Sequence, residues 1–221
     1  MNVRLALISS PLSISERYGI FAGAANTQPA FALVCLGAMA LRAGTEVNVI
    51  DASAENLSPR ETLDRILAFK PHVLGITSTT AGITAAGHLA ELVKETSPGT
   101  IIVVGGCHST ALPRETLAEF RAFDLAAIGE GEDTLVEILN SVKEQKNVPA
   151  DIPGTAYRRG SDIIICGPRP LIQKMDDLPP PAWSLLQGFP RRFRPSPARI
   201  RRWPCASLVL NRGCPHTCTF C

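Results

Sequence analysis

Short runs rich in Val, Ile and Leu alternate with longer stretches of helical periodicity from residue 3 to about residue 145. The runs Val3–Ile8, Glu46–Ile50, His72–Thr77, Ile101–Val104 and Leu125–Ile128 read as strands. Between them, segments near 29–43, 59–69, 82–96, 113–120 and 132–144 place apolar residues at helical spacing. The strand runs are continuously apolar, as expected of parallel strands covered on both faces. With right-handed crossovers, this predicts a doubly wound α/β domain over residues 1–148. Its parallel five-stranded sheet would be flavodoxin-like or Rossmann-like.

Local punctuation supports these boundaries. Gly44 follows the first helix where a C-cap belongs. Ser58-Pro59-Arg60-Glu61 is a capping box with proline at the first helical position, and Ser97-Pro98-Gly99 stops the third helix. The pattern changes after about residue 148. Thr155–Arg158 and Asp162–Cys166 flank Arg159-Gly160-Ser161 and read as a β-hairpin within a 149–170 extension. Residues 171–204 form a Pro/Arg-rich linker, with Trp183 after Pro179-Pro180-Pro181 as a packing anchor. Ala206–Leu210 is one more apolar strand, within a segment 205–221 that runs into a cysteine cluster. Residues beyond about 190 are expected to be poorly fixed by the domain.

Composition adds limits. The chain of 221 residues is 45% apolar and 19% charged, a globular composition. Its longest apolar stretch, Ala30–Leu41, falls short of the roughly 20 residues of a membrane span. Leu5–Ile8 is too short for a secretory signal core, so the reading is a cytoplasmic protein without a membrane partner. No acidic residue follows Asp177, whereas Arg191, Arg192, Arg194, Arg199, Arg201, Arg202 and Arg212 all do. That basic run is broken by proline and has only Phe193 and Trp203 as interleaved aromatics. It therefore reads as a solvated linker rather than a nucleic-acid surface.

In an open α/β sheet, ligands bind beyond the carboxyl ends of the strands. The loops there are Ser9-Ser10-Pro11, Thr77-Ser78-Thr79-Thr80-Ala81-Gly82, Gly105-Gly106-Cys107-His108 and Gly129-Glu130-Gly131-Glu132. Small residues admit a ligand close to the backbone, and hydroxyls and helix N-termini offer donors to phosphate or amide groups. Four such loops on one edge favour a large, polar, phosphate-bearing cofactor over turns alone.

Cys35, Cys107, Cys166 and Cys205 are scattered, whereas Cys214, Cys218 and Cys221 crowd the last eight residues. A CxxxCxxC spacing supplies three thiolates to a four-iron cubane and leaves one iron open. Zinc is the competing reading, with His216 as a fourth ligand. Structural zinc sites, however, usually draw ligands from two separated pairs, so iron–sulfur is favoured.

Arg212-Gly213-Cys214 and the aromatic before Cys221 resemble the radical S-adenosylmethionine (SAM) signature. Gly105-Gly106-Cys107-His108-Ser109-Thr110-Ala111-Leu112-Pro113, Gly129-Glu130-Gly131-Glu132, Ile152-Pro153-Gly154 and Leu178-Pro179-Pro180-Pro181-Ala182-Trp183 resemble the N-terminal cobalamin (B12)-binding domain of B12-dependent radical SAM enzymes. The resemblance implies a cobalamin nucleotide tail along the sheet, lined by Thr77, Ser78, Thr79, Gly105 and Gly106. The corrin would face Ser9, Ser10, Gly129, Glu130 and Gly131. It also implies a 4Fe–4S cluster on Cys214, Cys218 and Cys221, with SAM on the open iron. The parent enzyme would transfer methyl groups, or rearrange or cyclise a carbon skeleton.

Two departures from the family pattern matter. Proteins that ligate cobalt from below carry Asp-x-His-x-x-Gly after strand one, and this chain has Ser9-Ser10-Pro11-Leu12-Ser13-Ile14-Ser15, with no histidine before His72. Any bound cobalamin should therefore lack an imidazole from that loop, and His108 is expected to hydrogen-bond or cap. The SAM-binding barrel is also represented only by its first strand. The expectation is a truncated or split form, inactive alone, with a separately encoded barrel as one possible partner and no catalytic residue assignable. The rival reading is a non-catalytic binding or interaction module that keeps only the fold. A flavin domain is more distant, because nothing singles out a flavin ring site.

Overall fold

The computed structural model describes residues 2–25, 27–145, 147–195, 200–214 and 216–219. Strands β1 (Arg4–Ser9), β2 (Glu46–Ile50), β3 (Val73–Thr77), β4 (Ile101–Gly105) and β5 (Leu125–Ala127) are parallel in the order β2-β1-β3-β4-β5. The hairpin β6 (Thr155–Arg159) and β7 (Asp162–Ile165) does not stand apart. It pairs antiparallel with the free edge of β5 and extends the sheet to seven strands.

The side-chain alternation of the strands sorts the core onto two faces. Ala6, Ile8, Leu74, Ile76, Ile102 and Val104 pack under helices α3 (Pro59–Phe69), α4 (Ile83–Thr96) and α6 (Pro113–Glu119). Leu5, Leu7, Val73, Val103 and Leu125 face α2 (Phe31–Arg42) and α7 (Glu132–Gln145). The predicted capping box forms: Ser58 Oγ accepts from Glu61 N–H, and the Glu61 carboxylate accepts from Ser58 N–H. Two short helices were not anticipated. These are α1 (Ile14–Tyr18), started by a Ser13/Glu16 capping box, and α5 (Cys107–Ala111), which follows Gly106 directly. No helix among the described residues is long and apolar enough to cross a membrane.

The linker is packed rather than loose. Trp183 stacks on Phe189 at 4.4 Å between centroids and meets Phe31 of α2 at 5.7 Å. Leu186 and Phe193 are buried, and the Arg192 guanidinium lies 3.1 Å from the buried Glu55 carboxylate. Leu185 rests so closely on α2 that a Cβ at Gly37 would come 2.6 Å from its Cδ1, which accounts for a glycine inside that helix. Fixation thus reaches Phe193, close to the limit expected near residue 190. Because Trp183 is half-buried, Trp183→Ala should cost about 2 kcal/mol in urea unfolding, less than a fully buried ring would. Residues 206–210 form no strand, since among the described residues no neighbour offers them a ladder.

Candidate cofactor site

The chain leaves β1 for β2 on one side and returns to β3 on the other, so the strand order reverses between β1 and β3. Ligand crevices form beside such switch points, at the carboxyl edge. Here a cavity of about 460 Å³ opens between the sheet and the helix pair α2/α7. Leu7, Gly75 and Val103 form its floor, and Phe31, Cys35, Leu36, Leu135 and Ile138 form its walls. Gly75 is mid-strand, and a Cβ there would stand 2.7 Å from Leu7 Cδ2. A glycine inside a strand marks a place where something must approach closely.

The rim is made of backbone and charge. Gly106 has φ +101°, and a Cβ would lie 2.6 Å from the Ser78 carbonyl, so only glycine fits there. Gly105, next to it, has open space beside it, with Ala127 Cβ at 3.8 Å. The Glu132 side chain is 7% exposed and takes an ion pair from Arg212 at 2.6 Å. Glu130 accepts from Ile172 N–H at 2.8 Å and lies 3.6 Å from the same guanidinium. The hydrogen bond to Glu132 is the main reason the Arg212 guanidinium holds its proton above its ordinary range. Burial pushes the Cys35 thiol up, against the opposing pull of Arg212.

Of the residues singled out from the sequence, Thr77, Gly105, Gly106, Gly129, Glu130 and Gly131 line this cavity together. Ser78 and Thr79 do not. The Ser78 hydroxyl is buried and donates to the Thr79 carbonyl at 2.9 Å, and Thr79 is exposed before the turn into α4. Ser10 is buried and donates to Thr77 O at 3.1 Å. Ser9 donates to Asp51 Oδ1 at 2.7 Å and borders a separate cavity of about 450 Å³ with Arg17, Tyr18 and Gln28. His108 is buried with its Nδ1 3.1 Å from Thr80 Oγ1, a hydrogen-bonding role. Cys214 and Cys218 are free and exposed, and Cys221 lies outside the described residues. Among the described residues no group of three or more His, Cys, Asp or Glu is placed to hold a metal ion.

Sequence reading missed the apolar floor and walls, and it missed Arg212 and Glu132 as a pair. The one signal for the floor was Gly75 in mid-strand. The wall residues look like any core position.

The fold and the cavity define a doubly wound cofactor-binding domain whose ligand space is cut into the carboxyl edge of the sheet. The family model described as B12 binding domain matches residues 19–139, and the chain belongs to that family. It is 31% identical over 196 residues to an uncharacterized methyltransferase of Pyrococcus horikoshii, covering 89% of this chain and 41% of that protein. It is 29% identical to the anaerobic magnesium-protoporphyrin IX monomethyl ester cyclase of Rubrivivax gelatinosus, covering 90% of this chain and 35% of that one. The chain therefore spans well under half the length of these curated relatives. Among solved structures, the radical SAM methyltransferase TsrM from Kitasatospora setae, with cobalamin and a 4Fe–4S cluster bound, superposes with a TM-score of 0.63. That match has 18% identity and covers 82% of this chain and 32% of TsrM. This B12-binding domain is accordingly similar in sequence to part of a methyltransferase and of a cyclase, and shares its fold with a cobalamin-bound radical SAM methyltransferase.

Proposed function

We propose that this domain holds cobalamin with its nucleotide tail in the cavity between the sheet and α2/α7, and its corrin across the glycine rim. The observation that carries this reading is the cavity itself: about 460 Å³, apolar within, and opened by Gly75, Gly105, Gly106, Gly129 and Gly131. Leu7, Val103, Leu135 and Ile138 would grip a flat aromatic base by dispersion and exclude water from it. Backbone at Gly105–Gly106 and the Thr77 hydroxyl would meet the polar arm that joins the base to the ring. Neither the loop after β1 nor the cavity lining contains a histidine, so the cofactor would sit without a protein imidazole from that loop. Ser9 and Ser10 are engaged in internal hydrogen bonds and leave the corrin to the Gly129–Gly131 loop.

In the whole protein, Cys214, Cys218 and Cys221 would hold a 4Fe–4S cluster that binds SAM. The chemistry would be methyl transfer or ring closure on an unreactive carbon. Bound cobalamin would supply a cobalt centre able to carry a methyl group or an electron. This activity requires a SAM-binding barrel, either continuing in the same protein or supplied by another chain. The substrate determinants would lie there.

Anaerobic incubation with hydroxocobalamin followed by gel filtration is expected to give co-elution of corrin and protein in a near-equimolar ratio, with a base-off spectrum. A protein peak without corrin absorbance would sink the assignment and leave a fold-only interaction module. A nitrogen-ligated spectrum that persists without His108 would put the nucleotide base on cobalt and overturn the placement of the tail, whereas a spectrum that changes on mutating His108 would refute the missing-imidazole part.

A further inference from the structure

The register of the sheet arranges the cavity in layers. Leu7, Gly75 and Val103 lie abreast on β1, β3 and β4, and two residues further on Thr77 and Gly105 lie abreast at the carboxyl edge. Side chains two residues apart share a face, so both layers look toward α2 and α7. Two residues of strand rise about 6.6 Å, a depth comparable to the long axis of a two-ring heterocycle. The two layers differ in polarity. The polar side chains among the described lining residues are Thr77, Cys35, Glu130, Glu132 and Arg212. Thr77 belongs to the edge layer, and Arg212 pairs with Glu130 and Glu132 at the rim. The Cys35 thiol feels the charges of Arg212 and Glu132, which sets it against that same rim. The floor layer has no such group. Leu7 and Val103 offer hydrocarbon, Gly75 has no side chain, and the backbone between these strands is engaged in parallel ladders. Leu135 and Ile138, both buried, stand about one and two turns along α7 from Glu132 and also line the cavity. An N–H group lodged over the floor would find no acceptor.

We infer that this cavity selects corrinoids by their nucleotide base, admitting a benzimidazole and rejecting a purine. The inference rests on the cobalamin reading above and adds which members of that cofactor class the site takes. Benzimidazole holds both ring nitrogens in its five-membered ring, beside the ribose, and its outer ring is hydrocarbon. Adenine carries ring nitrogens and an exocyclic amine on its six-membered ring. A base entering with its ribose at the rim would leave the five-membered ring near the Thr77 hydroxyl. Its outer ring would lie over Leu7, Gly75 and Val103. A hydrocarbon ring gains dispersion contacts there, whereas an amine gives up its water and receives no partner. The floor therefore discriminates by what it withholds, and specificity of this kind is a difference between two affinities.

Equilibrium titration of the protein with hydroxocobalamin and with its adeninyl counterpart gives a ratio of two affinities. Adenine is the weaker base and leaves cobalt more readily in the free corrinoid, which biases that ratio. The decisive quantity is therefore the change in the ratio between the parent and Val103→Thr, in which the free corrinoids cancel. Val103→Thr keeps the branched shape and sets a hydroxyl in the floor. It gives the amine an acceptor, and it leaves that hydroxyl unpaired under a hydrocarbon ring. The ratio should move toward the adeninyl form by roughly tenfold, the effect of one hydrogen bond gained on one side and a desolvated group on the other. Ile138→Thr, on the α7 wall, makes the same test if thermal unfolding shows that Val103→Thr does not fold. A ratio left unchanged by the folded variant overturns the selection while leaving the cobalamin reading intact. If neither the parent nor the variant retains either corrinoid, the cobalamin reading itself falls and the selection with it.

Discussion

Gly105→Leu is expected to abolish retention of cobalamin while leaving the domain folded. Gly105 is the last residue of β4, and a Cβ there meets nothing nearer than Ala127 Cβ at 3.8 Å, so the backbone accepts a side chain. The added leucine has only the cavity to occupy, and it would take the space assigned to the nucleotide tail. Overpacking a filled site costs up to about 3 kcal/mol, so affinity should fall about 100-fold, read by equilibrium titration with hydroxocobalamin. Thermal unfolding of the unliganded variant should match the parent or rise slightly, since a void is being filled. Gly106→Ala would not separate these effects, because φ +101° and the Ser78 carbonyl at 2.6 Å make it a folding variant. Gly99→Ala, with nothing within 4 Å, is the matched control and should bind as the parent does. Unimpaired binding by Gly105→Leu would mean that the tail lies elsewhere.

The parts of this fold legible in the sequence are those governed by periodicity. The five parallel strands and the five longer helices lie within about two residues of where the apolar spacing puts them, because each buries a face that its own sequence must supply. What the sequence could not settle is what pairs with what. The hairpin was plain, yet nothing in Thr155–Ile165 says that β6 will lie along Ala127–Leu125 and continue the sheet. The Ser13-Ile14-Ser15-Glu16 box starts a helix of only five residues, too short for apolar periodicity to announce it. Gly105-Gly106 reads as a turn, and the turn leads at once into α5.

The site divides in the same way. Its rim was legible, because glycines at strand ends have few other uses. Its interior was not, because Leu7, Leu135 and Ile138 are indistinguishable from core until the space beside them is seen. The serines are hard to read for a related reason. Ser9, Ser10 and Ser78 sit at the expected edge, but each is buried, and a buried hydroxyl is claimed by its neighbours before any ligand arrives. The Arg212–Glu132 pair joins distant parts of the chain, and no local pattern announces it.

The partner that claims Ser9 leads to the second large effect. Asp51, 1% exposed at the end of β2, accepts from Ala30 N–H at 2.6 Å, from Ser9 Oγ at 2.7 Å and from Ala54 N–H at 3.2 Å. One carboxylate thus ties the end of β1, the start of α2 and the loop after β2, and so sets where α2 stands over the cavity. Asp51→Ala orphans three donors at once and should destabilise the domain by about 3 kcal/mol, a fall in Tm of roughly 6–12 °C for a chain of this size. Asp51→Asn keeps an acceptor for Ser9 but turns an N–H donor toward one of its former donors, and should lose about half as much. The pH dependence has a definite sign. Burial raises the Asp51 pKa against the three hydrogen bonds, so the folded state holds this proton more tightly than the unfolded one. Its contribution is fully present below the ordinary aspartate value of about 3.9 and is lost as pH rises through the raised folded value. The stability gap between parent and Asp51→Ala should therefore be widest in acid and narrow as the pH climbs through that window, in urea unfolding at a series of pH values. A gap that widens with pH would show that the hydrogen bonds outweigh burial and that Asp51 is held as a firmly ionised clamp.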